Sequence, residues 1–533
     1  MSSMTIILGM MAVFYACVIY VLYRTMQTDK PSFDEYAVGG RRYGAVFIGM
    51  SYVQSFWPGV IFTGFLGGIG VRFGVMIFYA LAYSVLGLVM MYFMANRAWR
   101  WGQRYDLRSQ PDLLQLRFNS PWVKIVASCI GLVAIMPWVI LGIQSLSVLF
   151  QVASDFKWSI TASLVAGILI ILVRQYWTVR MGMRGLIMTD MLQGSVAYIG
   201  GAAIAIIMLA AGNSSPAPYR NLAHLPAALL HVPGDGGSYG PFYMFALIVM
   251  GVIGAMCWPM SFQRIYTAKG VRSVKKGTLW ALTLMTFFLA VICVFALAVA
   301  LVPGLKDNPQ FAWFNVLDMF GGPWLVGLGS VMILAASMGH VDGSVQVCGT
   351  QIANDLVNHW HPLKDRQLTV VAKVAMVAYM LVASVLSYVL FDVPRLQLLA
   401  QMSYYWVIQL AVPLYFGLFS RFGNKQGVLA GMLSGSIVAT LLTLKWDDAI
   451  PALGGLTAGL VGLAVNLVVF AVVSLITGQS AEEKARVNKL FDQTSRKNVR
   501  AARTRQPAPM TAAVSVGALS SDSTAAGMSR REQ

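Results

Sequence analysis

Long runs of apolar residues, separated by short polar intervals, dominate this chain. Thirteen such runs reach roughly the ~20 residues that a helix needs to cross a bilayer. They lie near 4–23, 45–70, 73–95, 122–150, 158–173, 186–212, 241–262, 277–302, 322–350, 368–391, 396–421, 427–444 and 454–477. The pattern predicts an all-α integral membrane protein with 13 transmembrane helices. The first run is too long for a cleavable signal peptide and lacks a basic leading region and a small-residue cleavage site.

Polar residues interrupt the runs at informative places. Segment 2 is broken by Gln54-Ser55-Phe56-Trp57-Pro58-Gly59, and segment 7 by Cys257-Trp258-Pro259. Proline and glycine in mid-span free backbone groups, which a membrane tolerates only where protein or a water-lined cavity satisfies them again. The two breaks are five segments apart. Broken helices in corresponding positions of two inverted halves mark midplane binding sites in transporters. Segments 2–6 (about 45–212) and 7–11 (about 241–421) are therefore read as inverted repeats, with Gln54–Gly59 and Cys257–Pro259 non-helical and segments 1, 12 and 13 peripheral. Segment 9 carries His340 and Asp342 among small residues, in Ala335-Ala336-Ser337-Met338-Gly339-His340-Val341-Asp342-Gly343-Ser344. Ionisable side chains at that depth are a functional-site hypothesis by default. On an ideal helix His340 and Asp342 point about 160° apart, so they do not pair within the helix.

Composition agrees with the membrane assignment: of 533 residues, 57% are hydrophobic and 11% charged. The net charge of +18 is not spread as for nucleic-acid binding. The loops after odd-numbered segments hold 21 Lys and Arg, counting Arg421 at the edge of segment 11, and those after even-numbered segments hold 6. By the positive-inside rule the N-terminus is outside and the C-terminus cytoplasmic. Residues 1–477 form one polytopic domain, and 478–533 a basic tail, beginning as a polar helix and otherwise largely disordered. The interval Asn96–Pro121, with Trp99, Trp101 and five arginines, is expected along the cytoplasmic surface, and Phe311–Phe314 in a short interfacial helix. Lys124 is expected to snorkel at a helix end. The five cysteines all lie in apolar segments, and neither metal-ligand spacing nor a nucleotide-binding phosphate loop occurs.

Short motifs along the chain resemble the sodium:solute symporter family. They are Tyr36-Ala37-Val38-Gly39-Gly40-Arg41-Arg42-Tyr43-Gly44 before segment 2, Thr189-Asp190-Met191-Leu192-Gln193 in segment 6, Gln263-Arg264-Ile265-Tyr266-Thr267-Ala268-Lys269 after segment 7, and Ile352-Ala353-Asn354-Asp355-Leu356 ending segment 9. The resemblance covers about residues 5–477 and implies a LeuT-like five-plus-five inverted-repeat fold that couples solute uptake to a cation gradient. It is not an enzyme family, and no cofactor is implied beyond a co-transported proton or sodium ion. The resemblance also implies a cation site made of the backbone carbonyls of Gln54, Trp57 and Ala336 and two adjacent hydroxyls. Here the hydroxyl pair falls on Gly339 and His340, while Asp342 matches an aspartate frequent in the family.

That departure favours protons over sodium. Hard cations want oxygen ligands, whereas an imidazole changes charge near physiological pH. The cation- or proton-coupling candidates are His340, Gly339, Ala336, Gln54, Trp57, Asp342 and Asp190, with a purely structural hydrogen bond left open for His340, as a neutral histidine inside the bundle, and for Asp190. Sugar-type and proline-type members differ from this chain at Gly254, Ala255 and Phe56. Ile135–Trp138 and Arg108–Asp112 are similar to bacterial monocarboxylate and amino-acid permeases. No Arg or Lys falls at mid-membrane by these boundaries, so a carboxylate would rely on half-helix N-termini and polar side chains. The substrate-binding candidates are Ser51, Gln54, Ser55, Trp57, Cys257, Trp258 and Ser261, with Gln401, Tyr404, Tyr405 and Gln409 on segment 11 weaker. The expectation is a transporter of the bacterial inner membrane that takes up a monocarboxylate or amino acid by symport, proton-coupled ahead of sodium-coupled. A nutrient-sensing membrane domain without concentrative transport is the alternative. The partners are the small solute and membrane lipid, not nucleic acid, with oligomeric state left open.

Overall fold

The computed structural model describes residues 2–26, 31–214, 222, 225–232, 239–302, 304–391, 403–447 and 449–495. Every regular element among them is helical. In chain order they are α1 (Ser3–Thr25), α2 (Phe33–Val38), α3 (Ala45–Phe56), α4 (Phe78–Tyr105), α5 (Gln110–Phe118), α6 (Pro121–Ala153), α7 (Ile160–Met181), α8 (Met183–Gly194) and α9 (Gly201–Ser214). There follow α10 (Ala227–Leu230), α11 (Tyr243–Gly254), α12 (Pro259–Thr267), α13 (Val271–Val299), α14 (Ala312–Gln351), α15 (Asn358–Trp360) and α16 (Asp365–Val389). The last four are α17 (Ser403–Phe419), α18 (Lys425–Trp446), α19 (Ala458–Thr477) and α20 (Ala481–Gln493).

Among the described residues, eleven spans are long and apolar enough to cross a membrane. The pair formed by α3 and the π-helical stretch Ile61–Val71, bent by 55°, makes twelve. The remaining segment, expected near 396–421, is represented among the described residues by α17, whose 17 residues are shorter than a full crossing. The outward faces are apolar because lipid is their solvent: Leu444, Leu475 and Ile476 are largely exposed.

Both anticipated breaks exist, displaced by a few residues. Helix α3 continues through Gln54, Ser55 and Phe56, and only Trp57–Gly59 leaves helical form. Pro58 removes an amide donor and pushes Trp57 into extended backbone (φ −131°, ψ 118°). A Cβ on Gly59 would collide with Ser337 and with Ile333 of α14, so the broken helix can lie against α14 only with glycine there. In segment 7 the non-helical residues are Ala255–Trp258, and Pro259 opens α12 as its first residue. Proline is at home there because that amide is unbonded in any case.

Several segment ends lie further along than the hydropathy suggested. Helix α7 runs on to Met181, and α12 runs to Thr267. This draws Arg174 and Arg264, expected in loops, into the interior, both at 0% exposure. In the interval after segment 3, helix α5 follows the end of α4. Helix α4 extends to Tyr105 with Trp99 and Trp101 buried. The short helix expected at Phe311–Phe314 merges into α14, which bends at Gly322 (φ 53°) ahead of Pro323. Lys124 does not snorkel. It is buried, paired with Asp112 at 2.6 Å and Asp355 at 3.4 Å. Helix α14 packs against α1, α6, α8 and α16, which places segment 9 at the centre of the bundle.

Candidate functional site

A cavity of about 30 Å³ sits where the two breaks face α14. That is room for about two waters, or a solute of a few heavy atoms. Its polar lining comes from Ser55 on α3, Ser261 on α12, His340 on α14 and Tyr404 on α17. The Ser55 and Ser261 hydroxyls are 3.2 Å apart, joining the two broken spans across the site. Met260 and Ser261 stand in the first turn of α12, whose unbonded amides and dipole favour an anionic group.

The apolar walls are aromatic. Trp138 lies edge-on to Trp57, Trp258 and Tyr404 at 6.0–6.4 Å and tilted against His340 at 6.2 Å. The Tyr404 hydroxyl donates to that of Tyr83 at 3.0 Å. Rings braced in this way give a rigid, dry pocket with few polar contacts. His340 is the ionisable member of the lining, 4% exposed, and neither ring nitrogen has a hydrogen-bond partner among the described residues. An unpaired buried polar group is costly unless something else completes it.

The region expected to hold a cation has a different occupant. The Gln54 side-chain nitrogen donates to the Ala335 carbonyl at 2.9 Å and lies 3.5 Å from that of Ala336. The amide orientation follows from chemistry, since an oxygen facing two carbonyl oxygens would be repelled. A Cβ on Gly339 would overlap this amide, so Gly339 leaves the space that Gln54 fills. The Trp57 carbonyl accepts from the Tyr198 hydroxyl at 2.5 Å. Two of the three carbonyls are thus already engaged by neutral donors, and neither residue 339 nor 340 offers a hydroxyl.

The other two acidic candidates are held in buried ion pairs. Asp190 accepts a very short hydrogen bond from Ser51, and Arg264 donates to Ser51 at 2.7 Å while lying 3.5 Å from Asp190. Those three residues tie α3, α8 and α12 together beside the cavity. Asp342 faces away from it, bonded to Arg174 at 2.8 Å and Gln175 at 2.7 Å.

Of the substrate candidates, Ser55, Trp258, Ser261 and Tyr404 line the cavity. Trp57 stands behind Trp138, Cys257 turns its thiol to the Ile253 carbonyl, and Ser51 and Gln54 are committed to Asp190 and α14. Gln409 bonds backbone carbonyls of Tyr405 and Gly459, a packing role, and Gln401 lies outside the described residues. Trp138, Tyr83 and Met260 were not singled out for the site from sequence. Only the Pro137-Trp138 pair in mid-helix hinted at one of them.

The profile of the sodium:solute symporter family matches residues 36–435. The chain belongs to the sodium:solute symporter family. Among relatives, a Bacillus subtilis (strain 168) symporter, YhjB, is 24% identical over 492 residues, covering 88% of this chain and 96% of that one. A monocarboxylate transport permease protein of Rhizobium johnstonii is 22% identical over 486 residues, covering 85% and 92%. Among solved structures, a Na+-coupled sialic acid symporter in a substrate-bound outward-open state superposes with a TM-score of 0.70 at 17% identity, covering 89% of this chain and 97% of that one. Mhp1, a nucleobase-cation-symport-1 family transporter in a closed conformation, gives 0.56 at 13% identity, covering 87% and 100%. At these identities the likeness establishes the fold. This family and fold are those of secondary transporters, and the cavity lies between the two broken spans.

Proposed function

We propose that this symporter takes up a small monocarboxylate together with a proton, and that His340 carries the proton in the binding cavity. The observation behind this reading is His340 itself, an ionisable side chain in the lining with neither nitrogen partnered among the described residues. Protonated imidazole donates from both nitrogens and suits a carboxylate. The first turn of α12 supplies further donors, Ser55 and Ser261 offer hydroxyls, and Trp138 and Trp258 cover a short apolar body. Among the described residues no acidic side chain lines this cavity to meet an ammonium, which favours a monocarboxylate over an amino acid. The R. johnstonii relative, named as a monocarboxylate transport permease, points the same way.

Proton and anion enter together because each stabilises the other in the cavity. In the cytoplasm the anion leaves, and the imidazolium then returns its proton to water. Gln54 supports a sodium-free cycle, since its amide donates to the Ala335 carbonyl and stands 3.5 Å from that of Ala336, one of the carbonyls expected at a cation site. The surplus of Lys and Arg in alternate loops favours an N-terminus outside and a C-terminus in the cytoplasm, and the bacterial relatives favour a bacterial inner membrane.

The test is uptake of labelled lactate, pyruvate or propionate into liposomes holding the purified protein. An inward gradient of one pH unit carries about 1.4 kcal/mol, enough for up to about tenfold accumulation with one proton per solute. Accumulation should be equal in sodium, potassium and choline buffers. Strict dependence on external sodium would overturn proton coupling, and binding without flux would favour a sensor.

A further inference from the structure

A second cavity opens at the cytoplasmic end of the bundle, far larger than the solute site at about 630 Å³. Three elements from distant parts of the chain build it: the last turns of α4, the end of α17 with the residues after it, and α20. Each contributes part of a basic, aromatic lining. Arg97 and Arg100 come from α4, Phe419 and Arg421 from the α17 end, and Phe491 with Asp492 from the tail helix.

The state of Arg97 is the telling feature. Its guanidinium lies 5.2 Å from the Phe419 ring centre and 4.9 Å from that of Phe491, held between two faces. Rings fix a guanidinium plane through cation–π contact but leave its N–H edge unused. No carboxylate, carbonyl or hydroxyl accepts from Arg97 among the described residues, so the charge is oriented and lacks a counter-charge. Arg421 stacks on the same Phe491 ring at 5.4 Å, and its nearest acid, Asp492, is 3.5 Å away on an exposed edge. Arg97 and Arg421 converge on one cavity, and the Arg97 charge, with no acceptor among the described residues, is one that a bound anion would relieve.

The geometry points to an anion site for a phosphate group, formed jointly by α4, the end of α17 and the tail helix. Guanidinium forks match phosphate oxygens two at a time. The site lies at the cytoplasmic ends of α4 and α17, where phospholipid headgroups are found, and basic pockets at that level suit anionic lipid. A headgroup or a free phosphate would present the same chemistry. In either form the anion would clamp Phe491 and Asp492, and with them α20, onto the transporter. The next residues in sequence, Arg496, Lys497 and Arg500, add charge of the same sign.

The test uses the full chain purified in uncharged detergent. Thermal stability and the rate of protease cleavage within 481–495 are followed with added phosphatidylglycerol, phosphatidylcholine or inorganic phosphate, at constant ionic strength set with chloride. Phosphatidylglycerol should raise the melting temperature and slow cleavage saturably, and phosphatidylcholine should do neither. A matching effect of inorganic phosphate would assign the site to phosphate generally, and its absence would assign it to lipid. Losing one charged hydrogen-bonding partner should weaken the half-saturating concentration by about tenfold or more in Arg97→Gln. Arg421→Gln, an exposed position that leaves the fold unstrained, should weaken it in the same direction. No effect of either anion on the wild-type protein, or equal effects on wild type and both variants, would overturn the site.

Discussion

The side-chain amide of Gln54 is bonded across the bundle to the main-chain carbonyl of Ala335, 2.9 Å away, beside the space left by Gly339. This links the broken segment 2 to segment 9 by a neutral donor that is part of the chain. Gln54→Glu keeps the size and replaces the donor with a carboxylate facing two carbonyls. Solute exchange should fall by about tenfold or more at neutral pH, the cost of losing a buried bond and gaining repulsion. The protonated carboxyl donates again, so activity should be present below its pKa and lost as pH rises through it. Exchange rates in liposomes at matched internal and external pH would show this. A flat pH profile equal to that of wild type would contradict the assigned role.

Gly339 and Gln54 form a complementary pair, and their substitutions should not add. Gly339→Ala forces a Cβ into the Gln54 amide and should destabilise the protein by about 1–3 kcal/mol, as overpacking does. Gln54→Ala removes the obstacle, so the double variant should be more stable than the sum of the single changes predicts. Melting temperatures in detergent for the four proteins of the cycle give the coupling, which contacting residues usually place between about 0.5 and 3 kcal/mol.

The buried pair of Asp190 and Arg264 makes a different prediction. Both are fully buried and share Ser51. Asp190→Asn leaves the Arg264 charge uncompensated and should cost about 3–5 kcal/mol. Asp190→Asn combined with Arg264→Gln should recover much of that loss. A thermal-stability cycle tests this. If the double variant is stable and still concentrates solute under a proton gradient, the pair is structural. If it is stable but only equilibrates solute, Asp190 belongs to the coupling path.

Hydropathy alone revealed the helical membrane fold and the two breaks, because apolar length and mid-span proline are local signals. It misplaced Arg174 and Arg264, since each sits in the polar last turns of a helix and its partner, Asp342 or Asp190, comes from a distant segment. The lining of the cavity was legible where a polar residue interrupted an apolar run, as at Ser55, Ser261 and His340. Tyr83 read as an ordinary apolar position and Trp138 only as part of a family-like stretch, and only tertiary packing shows that both line the cavity. The Gln54 contact was hidden for the same reason. Gly339 looked like a missing ligand, while the residue that fills its place lies 285 positions earlier in the chain.

The electrical character of transport gives the most direct test of His340. A monocarboxylate bound to one imidazolium crosses with no net charge, so a membrane potential should neither drive nor oppose it. In liposomes clamped with valinomycin and potassium, an inside-negative potential should leave uptake unchanged, while an inward pH gradient should concentrate the solute. His340→Gln keeps a hydrogen-bonding side chain in the cavity but cannot take up a proton. Exchange of labelled for unlabelled solute should persist in that variant at a reduced rate, while accumulation under a pH gradient should be lost. Undissociated acid that leaks through lipid is measured in liposomes without protein and subtracted. Accumulation by His340→Gln equal to that of wild type would place the proton elsewhere. Stimulation of the wild-type protein by inside-negative potential would mean that more than one positive charge accompanies each anion, which a single imidazolium does not supply.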